Sequence, residues 1–348
     1  MSETKSKTTD TTNIKNEQRD CCQPCCKQSR GKGCLVALLV FAILAFVITC
    51  CVVVFVAIAG ETNTVNTEDI RSGGSDVVAV VDVTGVITEN EVEGLFSVSS
   101  ASSDKVVQNL DAANADPDVK AIVVRLDTPG GEVVASDIIY RKLREVRRNK
   151  PVIAYSSRMA ASGGYYIAAG ADEFIVHPDT ITGSIGVILS LSSYDGLYDK
   201  LGIETKTFTS GEFKDTDALF KDDKDGRHAA IFQRLVEETY GDFVNAVADG
   251  RGMPRAKVLE LGDGRIYSGR QAVENGLADS MGYFEDAVAE AEDIADISNA
   301  TVRVYGSDST WDSLLGATSI HSLPGGAAQM STAGSQLQVS GLYYLMQP

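Results

Sequence analysis

Apolar positions along this chain follow three rhythms. Between residues 33 and 60 they run unbroken, and GCLVALLVFAILAFVITCCVVVFVAIAG holds no charged residue. At about 1.5 Å per residue, a helix over residues 34–59 would reach roughly 39 Å, enough to cross a bilayer. The run is about twice the length of a signal peptide's apolar core and lacks its small-residue exit, so it reads as an uncleaved anchor. From residue 77 the apolar residues come in short continuous blocks. VVAVVDVTGVI (77–87), KAIVVRLD (120–127), PVIAYSS (151–157) and EFIVHP (173–178) predict strands, and their lack of alternation predicts parallel strands covered on both faces. KVVQNLDAANADP and EVVASDIIYRKLREVRR lie between them with helical spacing. A longer helix is expected over 226–249, where Ile231, Leu235, Val236, Phe243, Val244 and Val247 recur as core or subunit interface.

Strands alternating with helices predict an α/β fold of βαβ units. The expected organisation is a leader over 1–33, a transmembrane helix over 34–59, a polar linker over 60–76, one folded domain over 77–298 and a mobile tail over 299–348 that docks by its apolar end, GLYYLM. Lys27, Arg30 and Lys32 precede the apolar run, while Glu61, Glu68 and Asp69 follow it. This asymmetry places the N-terminus in the cytoplasm and the bulk of the chain outside it.

Charge sharpens the division. The net charge is −17, yet residues 1–32 carry seven Lys/Arg against four Asp/Glu, which leaves 24 bases and 44 acids beyond them. Such an acidic domain does not suit nucleic acid, whose phosphates require Lys and Arg to displace counterions. All seven cysteines fall at or before Cys51, so the external domain has no disulfide and must rely on its core. The CCQPCC cluster at 21–26 is too tightly spaced for one tetrahedral metal site; lipidation beside the membrane or reduced thiols fit it better. No metal or other cofactor is expected.

Candidate chemistry lies at two strand ends. TPGG (128–131) follows one predicted strand, and its glycines permit positive φ and close backbone approach; alone, it would be an ordinary turn. Ser162, in MAASGGYYIAAG, follows the next strand with Gly163 and Gly164 behind it, so its hydroxyl would stand at a helix N-terminus beside free amides. An acyl-transfer site needs a nucleophile, its following N–H and an N–H from a neighbouring loop; the spacing offers Ser162 and an oxyanion hole of Gly163 with Gly130 or Gly131. The three histidines are poor bases by context: His177 ends a strand, His228 sits in the charged KDDKDGRH, and His321 lies in the tail. Lys214, expected after a strand and an SG turn in TFTSGEFKD, is an alternative, and Ser184 in TGSIGV could bond its amine. Spacing alone does not single out Lys214 among the lysines.

Four stretches change that. RLDTPGGEVVASDIIYRKL, MAASGGYYIAAGADEFIVHPDTITGSIGVI, TSGEFKD and SGRQAVENGLADSMG, in that order over about residues 77–290, resemble the signal peptide peptidase A family of membrane serine-lysine proteases. Clp-type proteases and crotonase-like enzymes are more distant relatives with the same βαβ superhelix. The resemblance implies a Clp protease/crotonase-like fold with a peptidase domain over 77–298. It assigns Ser162 as nucleophile, Lys214 as general base, Ser184 as the hydroxyl orienting the lysine amine, and the glycines of TPGG as the oxyanion loop. It further implies one anchoring span in membrane lipid, remnant signal peptides and other membrane-proximal peptides as substrates, and a ring-like homo-oligomer in which Lys214 reaches the Ser162 of a neighbouring subunit. Asp127 and Thr128 depart from the Asn-Ser-Pro-Gly-Gly loop of many relatives, and the cysteine-rich leader is outside the family pattern. A catalytically silent membrane scaffold is the alternative on the same fold. An acyl-CoA enzyme is disfavoured by the acidic surface and the external location.

Overall fold

The computed structural model describes residues 40–41, 43–49, 65–90, 100–215, 218–221, 223, 225–306 and 342–345. It divides into two units, 1–63 and 64–348. In the first, the described residues 40–41 and 43–49 are helical and exposed. Among the described residues no helix is long and apolar enough to cross a membrane, and most of the expected span over 34–59 lies outside them.

The second unit is built on a seven-stranded sheet. Its strands are β1 (Thr67–Arg71), β2 (Val77–Thr84), β5 (Val119–Asp127), β7 (Val152–Ser156), β9 (Glu173–Val176), β13 (Ser280–Met281) and β14 (Thr301–Tyr305), in the order β1-β14-β2-β5-β7-β9-β13. All neighbours are parallel except the edge pair of β1 with β14. The sheet thus runs past the expected 77–298 domain on both sides, because β14 pairs along β2 and leaves an edge that β1 covers.

The continuous apolar blocks are explained by two cores, one on each face. Val77, Ala79, Val81 and Val83 of β2 enter one with Ile122, Val124 and Leu126 of β5, beneath α1 (Ser103–Ala115) and α2 (Val133–Val146). Val78 and Val80 enter the other with Ala121, Val123, Ile153 and Tyr155, against α9 (Phe284–Ile294). Both odd and even positions are therefore buried. At about 1.5–3 kcal/mol for each fully buried large aliphatic side chain, this one strand carries a large share of the stabilisation.

Beyond the carboxyl ends of the main strands lies a second tier of short ones. One group is β8 (Met159–Ala161), β10 (Ile181–Gly183) and β12 (Ile266–Ser268), in the order β12-β10-β8. The other runs β11-β15-β6-β3-β4, with β3 (Val86–Thr88), β4 (Ser100–Ser102), β6 (Gly130–Glu132), β11 (Ile188–Leu189) and β15 (Leu342–Leu345). The tail thus returns to the domain by its apolar end, as expected.

Three helices frame this tier: α3 (Gly163–Ala168), the 25-residue α6 (Arg227–Arg251) and α7 (Arg255–Leu261). The short α4 (Asp195–Leu201), α5 (Ala218–Lys221) and α8 (Gly269–Glu274) lie along the chain between these elements. Phe243, Val244 and Val247 of α6 are buried, as its spacing predicts, whereas Ile231 and Leu235 are exposed. The backbone of α6 passes so close to α3 that a Cβ on Gly250 would lie 1.8 Å from the Ala169 carbonyl oxygen. One expectation fails: no strand precedes Lys214. Residues 203–209 form no regular structure, because ETKTFTS finds no neighbouring strand to pair with.

Candidate active site

The site forms where the second tier begins. After β5 the chain breaks at Thr128, which bridges to Ala160 of β8: Thr128 N donates to Met159 O at 2.9 Å, and Ala161 N donates to Thr128 O at 3.1 Å. The TPGG loop and the serine turn are therefore held side by side by backbone bonds. Gly164, in the first turn of α3, packs so tightly on this loop that an added Cβ would lie 2.6 Å from the Thr128 methyl. The Thr128 hydroxyl in turn accepts the Gly130 N–H at 3.0 Å, and Gly130 has φ of 99°. Thr128, a departure from the related loop pattern, thus fixes that loop's shape.

Ser162 sits between β8 and α3 with φ 54° and ψ −114°, a conformation costly for a residue with a side chain. Such a strand-to-helix turn projects a hydroxyl from the end of a sheet. Ser162 is buried, and its N–H donates to Gly183 O at 2.8 Å, which ties the turn to β10. Gly163 is the first residue of α3, where an amide has no acceptor within its own helix. Two residues not singled out from sequence lock β10 in place: Thr182 Oγ1 donates to Ala160 O at 2.6 Å, and Thr180 Oγ1 donates to Ser156 O at 2.8 Å. Their signal was a hydroxyl at alternate positions in DTITG, which reads equally well as an ordinary turn.

Ser162 and Ser184 line one cavity of about 490 Å³. Ile185, Val187, Ile188 and Val236 give it apolar walls, and Gln233, Glu237 and Tyr240 close it from α6. The helix that sequence spacing left without a chemical role thus forms a wall of the site. Tyr240 donates its hydroxyl to Gly262 O at 2.7 Å, and burial holds its phenol above the ordinary value, so it remains a neutral donor.

Lys214 does not line this cavity within one chain. It lies exposed in a turn closed by its own N–H to Gly211 O at 3.1 Å. The turn is fastened to the start of α6. The Arg227 guanidinium lies 4.7 Å from the Phe213 ring centroid and pairs with Glu212, the His228 ring lies 5.0 Å from Phe213, and Asp223 accepts the backbone N–H groups of His228 and Ala229 at 2.9 Å each. From Gly186 through Asp242 no described residue is buried, although Leu197, Tyr198, Leu201, Phe208 and Phe213 are exposed, Phe208 by 95%.

Neither His177 nor His228 lines the cavity. His177 Nδ1 accepts the Asp179 N–H at 3.2 Å, and His228 faces Asp223 at 3.4 Å; His321 lies outside the described residues. Among the described residues no cluster could hold a metal ion.

Comparison with known proteins agrees with this geometry. Residues 144–298 match the family model "Peptidase family S49", and residues 77–180 match "Clp protease". The chain is 37% identical over 251 residues to "Putative signal peptide peptidase SppA" of Enterococcus faecium, an alignment covering 72% of this chain and 73% of that protein. It is 32% identical over 228 residues to "Serine protease SPPA, chloroplastic" of Arabidopsis thaliana, covering 65% of this chain and 33% of the relative, and 34% identical over 221 residues to "Protease 4" of Haemophilus influenzae, covering 62% and 34%. The domain is α/β and Clp protease-like, and the chain belongs to peptidase family S49, the signal peptide peptidase A family of serine peptidases.

Proposed function

We propose that this chain is a membrane-anchored serine endopeptidase with a Ser/Lys dyad, acting on extended apolar peptides near the membrane, remnant signal peptides among them. The observation that carries the reading is the Ser162 turn: a buried serine at positive φ, preceding the first amide of a helix and hydrogen-bonded through its neighbours to a glycine loop. In the proposed reaction, the neutral Lys214 amine takes the Ser162 proton and the alkoxide attacks the peptide carbonyl. Gly163 N–H holds the oxyanion with Gly131 in preference to Gly130, whose N–H is engaged by Thr128. The lysinium then protonates the leaving amine, and water activated by the same lysine releases the acyl group. Ser184, in the cavity with Ser162, orients the amine.

Lys214 reaches this cavity from a neighbouring copy in a ring-like homo-oligomer. The support is that the segment bearing Lys214 exposes large apolar side chains and, among its described residues, buries none, so a second copy is the surface that would cover it. The uncharged run over 34–59 supplies the anchor, with the N-terminus cytoplasmic and the catalytic domain outside.

The test is hydrolysis of a fluorogenic apolar peptide by the full chain in detergent, as wild type, Ser162→Ala and Lys214→Ala. Wild-type turnover that disappears in both variants, with unchanged oligomer size by light scattering, is expected. Near-wild-type activity in either variant would overturn the dyad, and an assembled wild type that neither cleaves peptide nor reacts with a serine-directed acylating probe would establish the scaffold instead.

A further inference from the structure

The proposed base stands on an unlikely support. From Ile203 to Asp215 the chain forms neither helix nor strand, and none of these residues is buried. A catalytic group displaced by about 1 Å can lose roughly 100-fold in rate, and a loop by itself holds a side chain less precisely than a helix or strand does.

The two residues immediately before Lys214 are gripped by the first two residues of α6. The Arg227 guanidinium lies 4.7 Å from the Phe213 ring centroid, and the His228 ring lies 5.0 Å from it, tilted by 59°. Glu212 pairs with the same guanidinium, one of its oxygens accepting Arg227 Nη2 at 3.3 Å. A planar cation set against a ring and a carboxylate together is restrained in two directions. The grip is itself anchored. Asp223, its side chain 6% exposed, accepts the N–H groups of His228 and Ala229 at 2.9 Å each and faces His228 Nδ1 at 3.4 Å. One carboxylate therefore caps α6 and orients the His228 ring. His228 Nε2 is buried with no hydrogen-bond partner among the described residues, an arrangement that costs stability. The ring is held there for the face it turns to Phe213, since its second nitrogen bonds to nothing described.

These contacts do little for the stability of the domain. Phe213 is 41% exposed, the Arg227 side chain 51%, and ion pairs this open to water contribute little. What they restrict is the backbone at 212 and 213, and with it the point from which the Lys214 side chain starts. We propose that Phe213, gripped by Arg227 and His228, is a positioning residue for the Lys214 amine, fixing where the base stands against the Ser162 it serves. This rests on the Ser/Lys reading above. Because α6 also walls the cavity with Gln233, Glu237 and Tyr240, two effects must be told apart. A loosened wall weakens substrate binding and raises KM, whereas a misplaced base lowers kcat and leaves KM alone.

The experiment compares peptide hydrolysis by the full chain in detergent as wild type, Phe213→Leu, Phe213→Tyr and Lys214→Ala. In Phe213→Leu, kcat is expected to fall roughly tenfold or more while KM stays within about twofold, with melting temperature and oligomer size unchanged. Phe213→Tyr keeps the ring and should restore kcat to within about twofold of wild type. A wild-type kcat in Phe213→Leu, or a raised KM at unchanged kcat, would overturn the positioning role and leave the dyad intact. Activity in Lys214→Ala, or none in the assembled wild type, overturns the dyad and the positioning role with it. A second readout needs no catalysis: hydrogen exchange of the backbone over 211–215 in Ser162→Ala protein, with and without Phe213→Leu. Exchange roughly tenfold faster in the leucine variant, with 243–250 of α6 unchanged, supports the grip, and equal exchange overturns it.

Discussion

Ser162 and Ser184 stand opposite each other, one residue beyond the paired Ala161 and Gly183, and both have positive φ, 54° and 51°. Each backbone is pinned where its strand ends: Ser162 N–H donates to Gly183 O, and Ser184 N–H donates to Arg265 O, both at 2.8 Å. These bonds involve no hydroxyl, so either side chain can be shortened without releasing the turn. Ser184→Ala is expected to keep its melting temperature and lower kcat/KM roughly 10–100-fold, the loss from removing about 1–3 kcal/mol of lysine orientation. Thermal melts beside steady-state kinetics check this; an unaltered rate would remove Ser184 from the mechanism.

The proposed supply of Lys214 by a neighbour has a consequence for mixed assemblies. Ser162→Ala and Lys214→Ala chains, each inactive alone, are dissociated and reassembled together at equal amounts. In random rings about half the subunits keep the serine and half of those face an intact lysine, so roughly a quarter of wild-type activity returns. A dyad within one chain restores none.

The contact of Gly164 with Thr128 predicts a loss of rate without a loss of fold. In Gly164→Ala the new methyl must push the Thr128 methyl from 2.6 Å, and the Thr128 hydroxyl that holds Gly130 N–H moves with it. Overpacking of this kind costs about 1–3 kcal/mol. A fall in kcat of at least tenfold is expected, with partial recovery in the Gly164→Ala, Thr128→Ser double variant, which lacks the obstructing methyl. Equal rates in the single and double variants would show that the hydroxyl's position does not matter.

Acid should loosen the far end of the sheet. Tyr305 of β14 donates its hydroxyl to Asp116 at 2.6 Å; with Asp118 N–H and the charges of Arg303 and Lys150 nearby, this holds the Asp116 carboxyl below its ordinary value. A carboxyl depressed in the folded state contributes stability above its unfolded pKa of about 3.9, and that contribution is lost as pH falls through the folded value. Asp116→Asn should therefore lower the melting temperature by roughly 2–4 °C at pH 7 and flatten the decline below about pH 4. Parallel melting curves for the two proteins across pH 2–7 would contradict this.

The strands were legible because a sheet covered on both faces needs apolar residues at consecutive positions, as in VVAVV of β2 and AIVV of β5. The Ser162 turn was legible for a related reason: a serine followed by two glycines directly after a strand suits few purposes other than a tight strand-to-helix turn. Lys214 was not, since a lysine in an exposed turn looks the same whether or not a neighbour will bury it. The missing strand before it shows the same limit, because ETKTFTS carries a strand composition without the partner that would realise it. The wall formed by Gln233, Glu237 and Tyr240 was hidden in a helix whose apolar residues, Val236 of the same wall among them, read as ordinary core spacing. β1 was missed because it is exposed along its whole length, and β14 because its short buried run is broken by Arg303.

None of the described residues from Gly186 to Asp242 is buried, yet this stretch holds the proposed base. A machine whose proton acceptor is borrowed cannot be switched on one molecule at a time. In the proposed ring, output per chain should rise as copies crowd together. In the proposed arrangement, the number of copies sharing a patch of membrane sets the activity.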